Sequence, residues 1–156
     1  MVFPNKNSIH IENFLSEYSA EITKGLASID LSELENIIEI LDKYIKSERA
    51  IFTCGNGGSS AIADHFVCDF LKGAATGSSI QPIIHSLSSN IPIITAVAND
   101  ISYNDIFSLQ IEKYGCSEDV LICVSSSGNS PNIIKAIKAA KEKGVHTISF
   151  VGFDGG

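Results

Sequence analysis

The sequence predicts an α/β fold in which a mainly parallel sheet follows a pair of N-terminal helices. Two observations carry this. From residue 49 onward, short apolar runs ending in glycine or serine alternate with segments of helical period, the strand–loop–helix recurrence that builds parallel sheets. Before residue 49 the apolar residues recur only at three- and four-residue steps, a helical spacing. The 156 residues are 44% hydrophobic and 19% charged, a globular balance that fits one domain with a core of its own. Within it, residues 1–48 form the helical part and residues 49–156 the α/β core.

Taken in order, Ile11, Phe14, Leu15, Tyr18, Ile22 and Leu26 mark one face of a helix over residues 9–27. Asp30, with Glu33 three residues on, starts a second helix in the manner of a capping box. Leu34, Ile37, Ile38, Leu41 and Ile45 form its apolar stripe. Two helices in tandem form a hairpin whose spare apolar surface serves either another subunit or the chain's own sheet. Residues 50–54 are a buried strand, followed by a polar turn and a helix over residues 59–72. Residues 80–87 have strand character, and residues 91–98 suit either a strand or a short helix leading into Asn99 and Asp100. Residues 103–114 read as a helix, 120–124 as a buried strand and 125–130 as a polar loop.

The helix at residues 131–143 has the clearest ends. Ser130 is an N-cap, Pro131 suits the first helical position, and Gly144 closes the C-terminus behind Lys138, Lys141 and Lys143. Ile134, Ile137 and Ala140 are expected to face inward, and residues 146–151 form the last strand.

Composition excludes several classes. No apolar run is long enough to cross a bilayer, and residues 1–8 lack the basic and apolar regions of a signal peptide. Cys54, Cys68, Cys116 and Cys123 sit in apolar segments without paired spacing, as reduced and buried thiols of a cytoplasmic protein do. A net charge of −7 argues against a general nucleic-acid surface. It leaves room for a phosphate ligand, which backbone N–H groups and helix N-termini hold without a basic patch.

Two loops carry the chemistry, and both follow strands, at the sheet end where ligands bind in such folds. Ser125, Ser126, Ser127 and Ser130, with Gly128 among them, place four hydroxyls immediately before a helix N-terminus. One N-cap accounts for one hydroxyl; four in six positions point to an anion site. The other loop, Gly55-Asn56-Gly57-Gly58-Ser59, matches neither a dinucleotide fingerprint nor a Walker A loop. Its small residues still allow close approach of a ligand, and Ser59 is expected to cap the following helix. On that helix His65 and Asp69 are four residues apart on one face. That pair suits two ligands of one metal ion, an acid/base couple, or a surface hydrogen bond. Asp64 and Cys68 are expected to face elsewhere, Cys68 toward the core; His10, His85 and His146 lack a second ligand at metal spacing.

These motifs occur in the order found in a known family. Cys54-Gly-Asn-Gly-Gly-Ser59, His65-Phe66 with an acid at 69, Asn99-Asp100, Asn104-Asp105, the 125–130 serine loop and the Gly152-Phe-Asp-Gly-Gly156 end resemble the sugar isomerase (SIS) family, and within it the phosphoheptose isomerases. The resemblance implies a flavodoxin-like parallel sheet and a cytoplasmic homotetramer joined through its N-terminal helices, with active sites shared between neighbouring chains. It implies interconversion of sedoheptulose 7-phosphate and D-glycero-D-manno-heptose 7-phosphate through an enediol, as in cell-surface heptose synthesis. By position, Ser59, Ser125, Ser127 and Ser130 would hold the phosphate with Ser126 lining the loop. Asn56 and Asp100 would contact the sugar chain, with Gly57, Gly58 and Asn99 beside them. His65 would ligate zinc, and Asp69 would be base and metal contact where better-known members carry a glutamate. Members continue past residue 156 with a strand and a helix bearing a histidine, so the sequence is expected to be part of a longer protein. A non-catalytic adaptor, or a sensor of a sugar phosphate, is the alternative the family offers.

Overall fold

Four parallel strands form one sheet: β1 (Ala50–Gly55), β2 (Ile83–Ser86), β3 (Val120–Ser125) and β4 (His146–Val151), in the spatial order β2-β1-β3-β4. The helices are α1 (Ile11–Ala27), α2 (Leu31–Lys46), α3 (Gly58–Cys68), α4 (Ile91–Asp100), α5 (Ser108–Tyr114) and α6 (Pro131–Lys143). The structure is a computed structural model that describes residues 10–153, 155 and 156. The expectations for residues 1–9, and for Asp154 in the terminal motif, lie outside these.

The chain divides into two compact units, Met1–Ile38 and Glu39–Gly156, with the boundary inside α2. In the first unit the rings of Phe14 and Tyr18 stack along α1 at 5.9 Å. Asp30 caps α2 as its position predicts: Oδ1 accepts from the Ser32 hydroxyl at 2.7 Å and the Ser32 N–H at 2.9 Å. These bonds, the hydroxyl's first, hold the Asp30 carboxyl below its ordinary pKa. Ile11, Leu15, Ile22 and Leu26 of α1 are exposed.

In the second unit β1 and β3 lie at the centre of the sheet and are almost wholly buried. Their apolar runs carry no alternation because both faces are covered, as parallel sheets require. Phe52, Leu87, Phe107, Ile111, Leu121 and Ile133 form the middle of the core, each burial stabilising by about 1.5–3 kcal/mol. Buried Asp119 organises the strand starts. Its Oδ1 accepts from Ala50 N at 3.0 Å, its Oδ2 from Cys116 N at 2.8 Å, and its carbonyl from His146 N at 2.7 Å.

Several expectations are settled or corrected. The strand expected over residues 80–87 is only Ile83–Ser86. Residues 91–98 are helical, because the Asn90 side chain caps Ile93 N at 3.2 Å and Pro92 suits a first turn. Residues 103–114 split into a 3₁₀ turn, Tyr103–Asp105, and α5. The α-helix begun at Gly58 ends at Cys68 and passes into a π-helical turn, Asp69–Ala74. On α6 the buried face is Asn132, Ile133, Ala136, Ala139 and Ala140, so Ile134 and Ile137 are only half-buried. Gly144 closes α6 with φ 72°, the left-handed conformation a glycine C-cap supplies. Of the four cysteines, Cys54 and Cys123 are buried but Cys68 and Cys116 are exposed.

Candidate functional site

Strand order reverses between β1 and β3, the position where open parallel sheets bind ligands beyond their carboxyl ends. Gly55 pairs with Val124 there, so the loops that follow the two strands lie side by side. The first is tied down from beneath. Ser88 Oγ donates to Gly55 O at 3.1 Å and accepts from Gly55 N at 3.2 Å, while Thr53 Oγ1 donates to Ala63 O at 2.9 Å. A Cβ on Gly55 would sit 2.5 Å from Ser59 O, so only glycine lets the first turn of α3 fold back over the end of β1.

Between the loops lies a cavity of about 180 Å³ lined by Asn56, Ser59, Ser125, Ser126, Ser127, Ser130, Val124 and Phe153. Ser59 belongs to the first turn of α3 and Ser130 is the N-cap of α6, so two helix N-termini converge on it. The N-cap of α3 is Gly57, not Ser59 as the sequence suggests. The Ser130 side chain makes no cap bond, so its hydroxyl stays available. Ser125 Oγ is buried and has no hydrogen-bond partner among the described residues. The cavity therefore offers several hydroxyl donors and two positive dipole ends, the donor set for a phosphate.

The two loops are locked together by residues the sequence did not single out. Asn56 Nδ2 donates to Asn132 Oδ1 and Asn132 Nδ2 donates back to Asn56 Oδ1, both at 2.8 Å. Tyr103 OH also donates to Asn56 Oδ1, at 3.1 Å. Asn132 had one available signal, being polar on the inward face of α6; Tyr103 had none beyond following Asn99-Asp100. Phe153 arrives because residues after β4 pass over the serine loop: Gly152 N donates to Ser126 O at 3.1 Å. Gly128 takes φ 66°, and a Cβ there would meet Gly155 O at 2.6 Å.

Other expected residues lie apart from this cavity. Gly57, with φ 54°, and Gly58 make the turn into α3 but do not line it. Asn99 and Asp100 are exposed at the end of α4 and bond to each other, Asn99 Nδ2 to Asp100 Oδ1 at 2.7 Å. His65 and Asp69 line a second recess, of about 350 Å³, with Ala61, Ile62 and Phe66. His65 Nε2 and Asp69 Oδ1 are 3.4 Å apart and both side chains are exposed. Cys68 stands on the same face rather than in the core; one donor atom each from His65, Cys68 and Asp69 lie within 4.8 Å of one another. Imidazole nitrogen, thiol sulfur and carboxylate oxygen are all zinc donors, so this face fits a zinc ion.

The chain is a parallel α/β domain with a hydroxyl-lined cavity at the switch point of its sheet. The SIS domain family matches residues 16–152, and the chain belongs to that family, among its phosphoheptose isomerases. It is 40% identical over 126 residues to a phosphoheptose isomerase of Clostridium acetobutylicum, covering 81% of this chain and 64% of that protein. It is 36% identical over 148 residues to one of Colwellia psychrerythraea, covering 94% and 75%. The structure of a phosphoheptose isomerase from Neisseria gonorrhoeae superposes with a TM-score of 0.81 at 32% identity, covering 93% of this chain and 76% of that one. The chain thus spans about two thirds to three quarters of the length of these relatives. Among the described residues no helix is long and apolar enough to cross a membrane.

Proposed function

We propose that the chain interconverts sedoheptulose 7-phosphate and D-glycero-D-manno-heptose 7-phosphate. The observation that carries this is the serine cavity between β1 and β3, with its unpartnered buried Ser125 hydroxyl, in a chain whose relatives are named phosphoheptose isomerases. Ser59, Ser125, Ser127 and Ser130 bind the phosphate, and Asn56, fixed by Asn132 and Tyr103, orients the sugar chain against it. Anchoring the remote phosphate spends binding energy on placing the carbonyl end, as isomerisation requires.

Asp69 is the base that removes the proton next to the carbonyl, giving a cis-enediol, and a second group returns a proton to the neighbouring carbon. His65 and Asp69 would hold a zinc ion, which would supply polarisation of the carbonyl and its neighbouring hydroxyl. The serine cavity and the His65–Asp69 face line different recesses of one chain. That separation supports a homotetramer with active sites shared between neighbours, and the exposed stripe of α1 supports assembly through the N-terminal helices. The reaction belongs to the cytoplasmic supply of heptose for the cell surface.

Incubating the protein with sedoheptulose 7-phosphate and zinc, and following the aldose signal by NMR, tests the activity. Turnover is expected. Phosphate binding without turnover would replace the isomerase by a sugar-phosphate sensor, and neither binding nor turnover by an adaptor.

A further inference from the structure

We infer that Cys68 is a ligand of the metal ion, giving the end of α3 and the first residue of the π-helical turn a three-donor face of His65, Cys68 and Asp69. This rests on the metal-holding role of His65 and Asp69 proposed above and adds a sulfur donor to it. The three residues occupy positions i, i+3 and i+4, which stack on one side of a helix. Their donor atoms already lie within 4.8 Å of one another, and all three residues are exposed. The thiol is free, so no disulfide competes for the sulfur.

The His65–Asp69 spacing points the same way. At 3.4 Å the Nε2 and Oδ1 atoms are farther apart than a strong charge-assisted hydrogen bond. Two ligands of one tetrahedral zinc, with bonds of 2.0–2.2 Å, stand about 3.4 Å apart. A sulfur ligand at 2.3 Å completes a triangle only slightly wider, about 3.6 Å on its nitrogen–sulfur edge. The 4.8 Å bound on the donor atoms stands about 1.2 Å above that edge, a gap that a side-chain rotation of an exposed cysteine spans. A thiolate also favours zinc over magnesium or calcium, which take oxygen ligands.

Cobalt(II) titration of the reduced chain separates this inference from the reading beneath it. The wild type is expected to give tetrahedral d–d bands together with a near-ultraviolet sulfur-to-cobalt charge-transfer band. Cys68→Ser is expected to keep d–d bands, lose the charge-transfer band and bind cobalt about tenfold or more weakly, since even second-shell losses cost 10–100-fold. His65→Ala is expected to lose both, while Cys116→Ser leaves both unchanged. Wild-type d–d bands without charge transfer, or a band that survives Cys68→Ser, would overturn the sulfur ligand and leave the metal site standing. No cobalt spectrum from the wild type would overturn the metal site itself. Circular dichroism of each variant, expected to match the wild type, ties these losses to ligation.

Discussion

Ser125 makes the sharpest statement at the scale of single residues. Its hydroxyl is buried at the end of β3 with no partner among the described residues, and an unpaired buried polar group costs about 1–3 kcal/mol. A phosphate oxygen in the cavity would offset that cost, since hydrogen bonds to charged groups contribute about 1.5–3 kcal/mol each. Ser125→Ala is therefore expected to weaken sugar-phosphate binding by about ten- to a hundredfold in calorimetry. Its thermal midpoint should hold or rise, because the fold loses an unsatisfied group; a midpoint that falls with the affinity would make Ser125 a structural residue. The serines were legible because four hydroxyls before one helix exceed what a cap needs. Asn132 was not, since its role depends on α6 turning it toward a loop 76 residues away in sequence. Cys68 was misread because its apolar neighbours suggested a core position, while the phase of α3 sets it outward with His65 and Asp69.

At the scale of elements, local signals decided well where a cap was present. Asp30, Ser130-Pro131 and Gly144 set their helix ends close to where the sequence put them. Residues 91–98 remained ambiguous because a short apolar run suits a strand or a buried helix equally, and Asn90 with Pro92 resolved it. The inward face of α6 was only partly legible: Ala140 is buried and Ile137 packs against the core as expected, but the centre of the face is Asn132, Ile133, Ala136 and Ala139, and Ile134 is half-buried. The strands owe their alignment to a residue with no motif around it. Asp119 receives two backbone N–H groups on its carboxylate, Ala50 N at the start of β1 and Cys116 N from the turn before β3. Asp119→Ala removes both part-buried bonds and leaves their N–H donors without the carboxylate, for an expected loss of about 3 kcal/mol in urea unfolding. A loss below about 1 kcal/mol would mean that water replaces the carboxylate without strain.

For the whole molecule, the sheet that brings the two loops together also fixes the chemistry of its thiols. Cys54 and Cys123 face each other in register on the central strands, with Sγ atoms 3.6 Å apart and both side chains buried. The hydrogen bond with Cys123, then burial, then the neighbour's charge push the Cys54 thiol well above its ordinary pKa. Folding therefore favours the protonated thiol. Below the unfolded value, about 8.5, both states keep the proton and the contribution is complete. As pH climbs past that value the unfolded chain releases its proton first, so stability falls until the folded pKa is reached. The thermal midpoint is expected to drop between pH 8 and 10, and by less in Cys54→Ala once its lower starting stability is subtracted. A thiol reagent at neutral pH should titrate Cys68 and Cys116 quickly and reach Cys54 and Cys123 only on unfolding, because the sheet must open to expose them. Four thiols reacting at one rate in the native protein would mean that the central strands separate readily, and the cavity at their ends could not then be a preformed phosphate site.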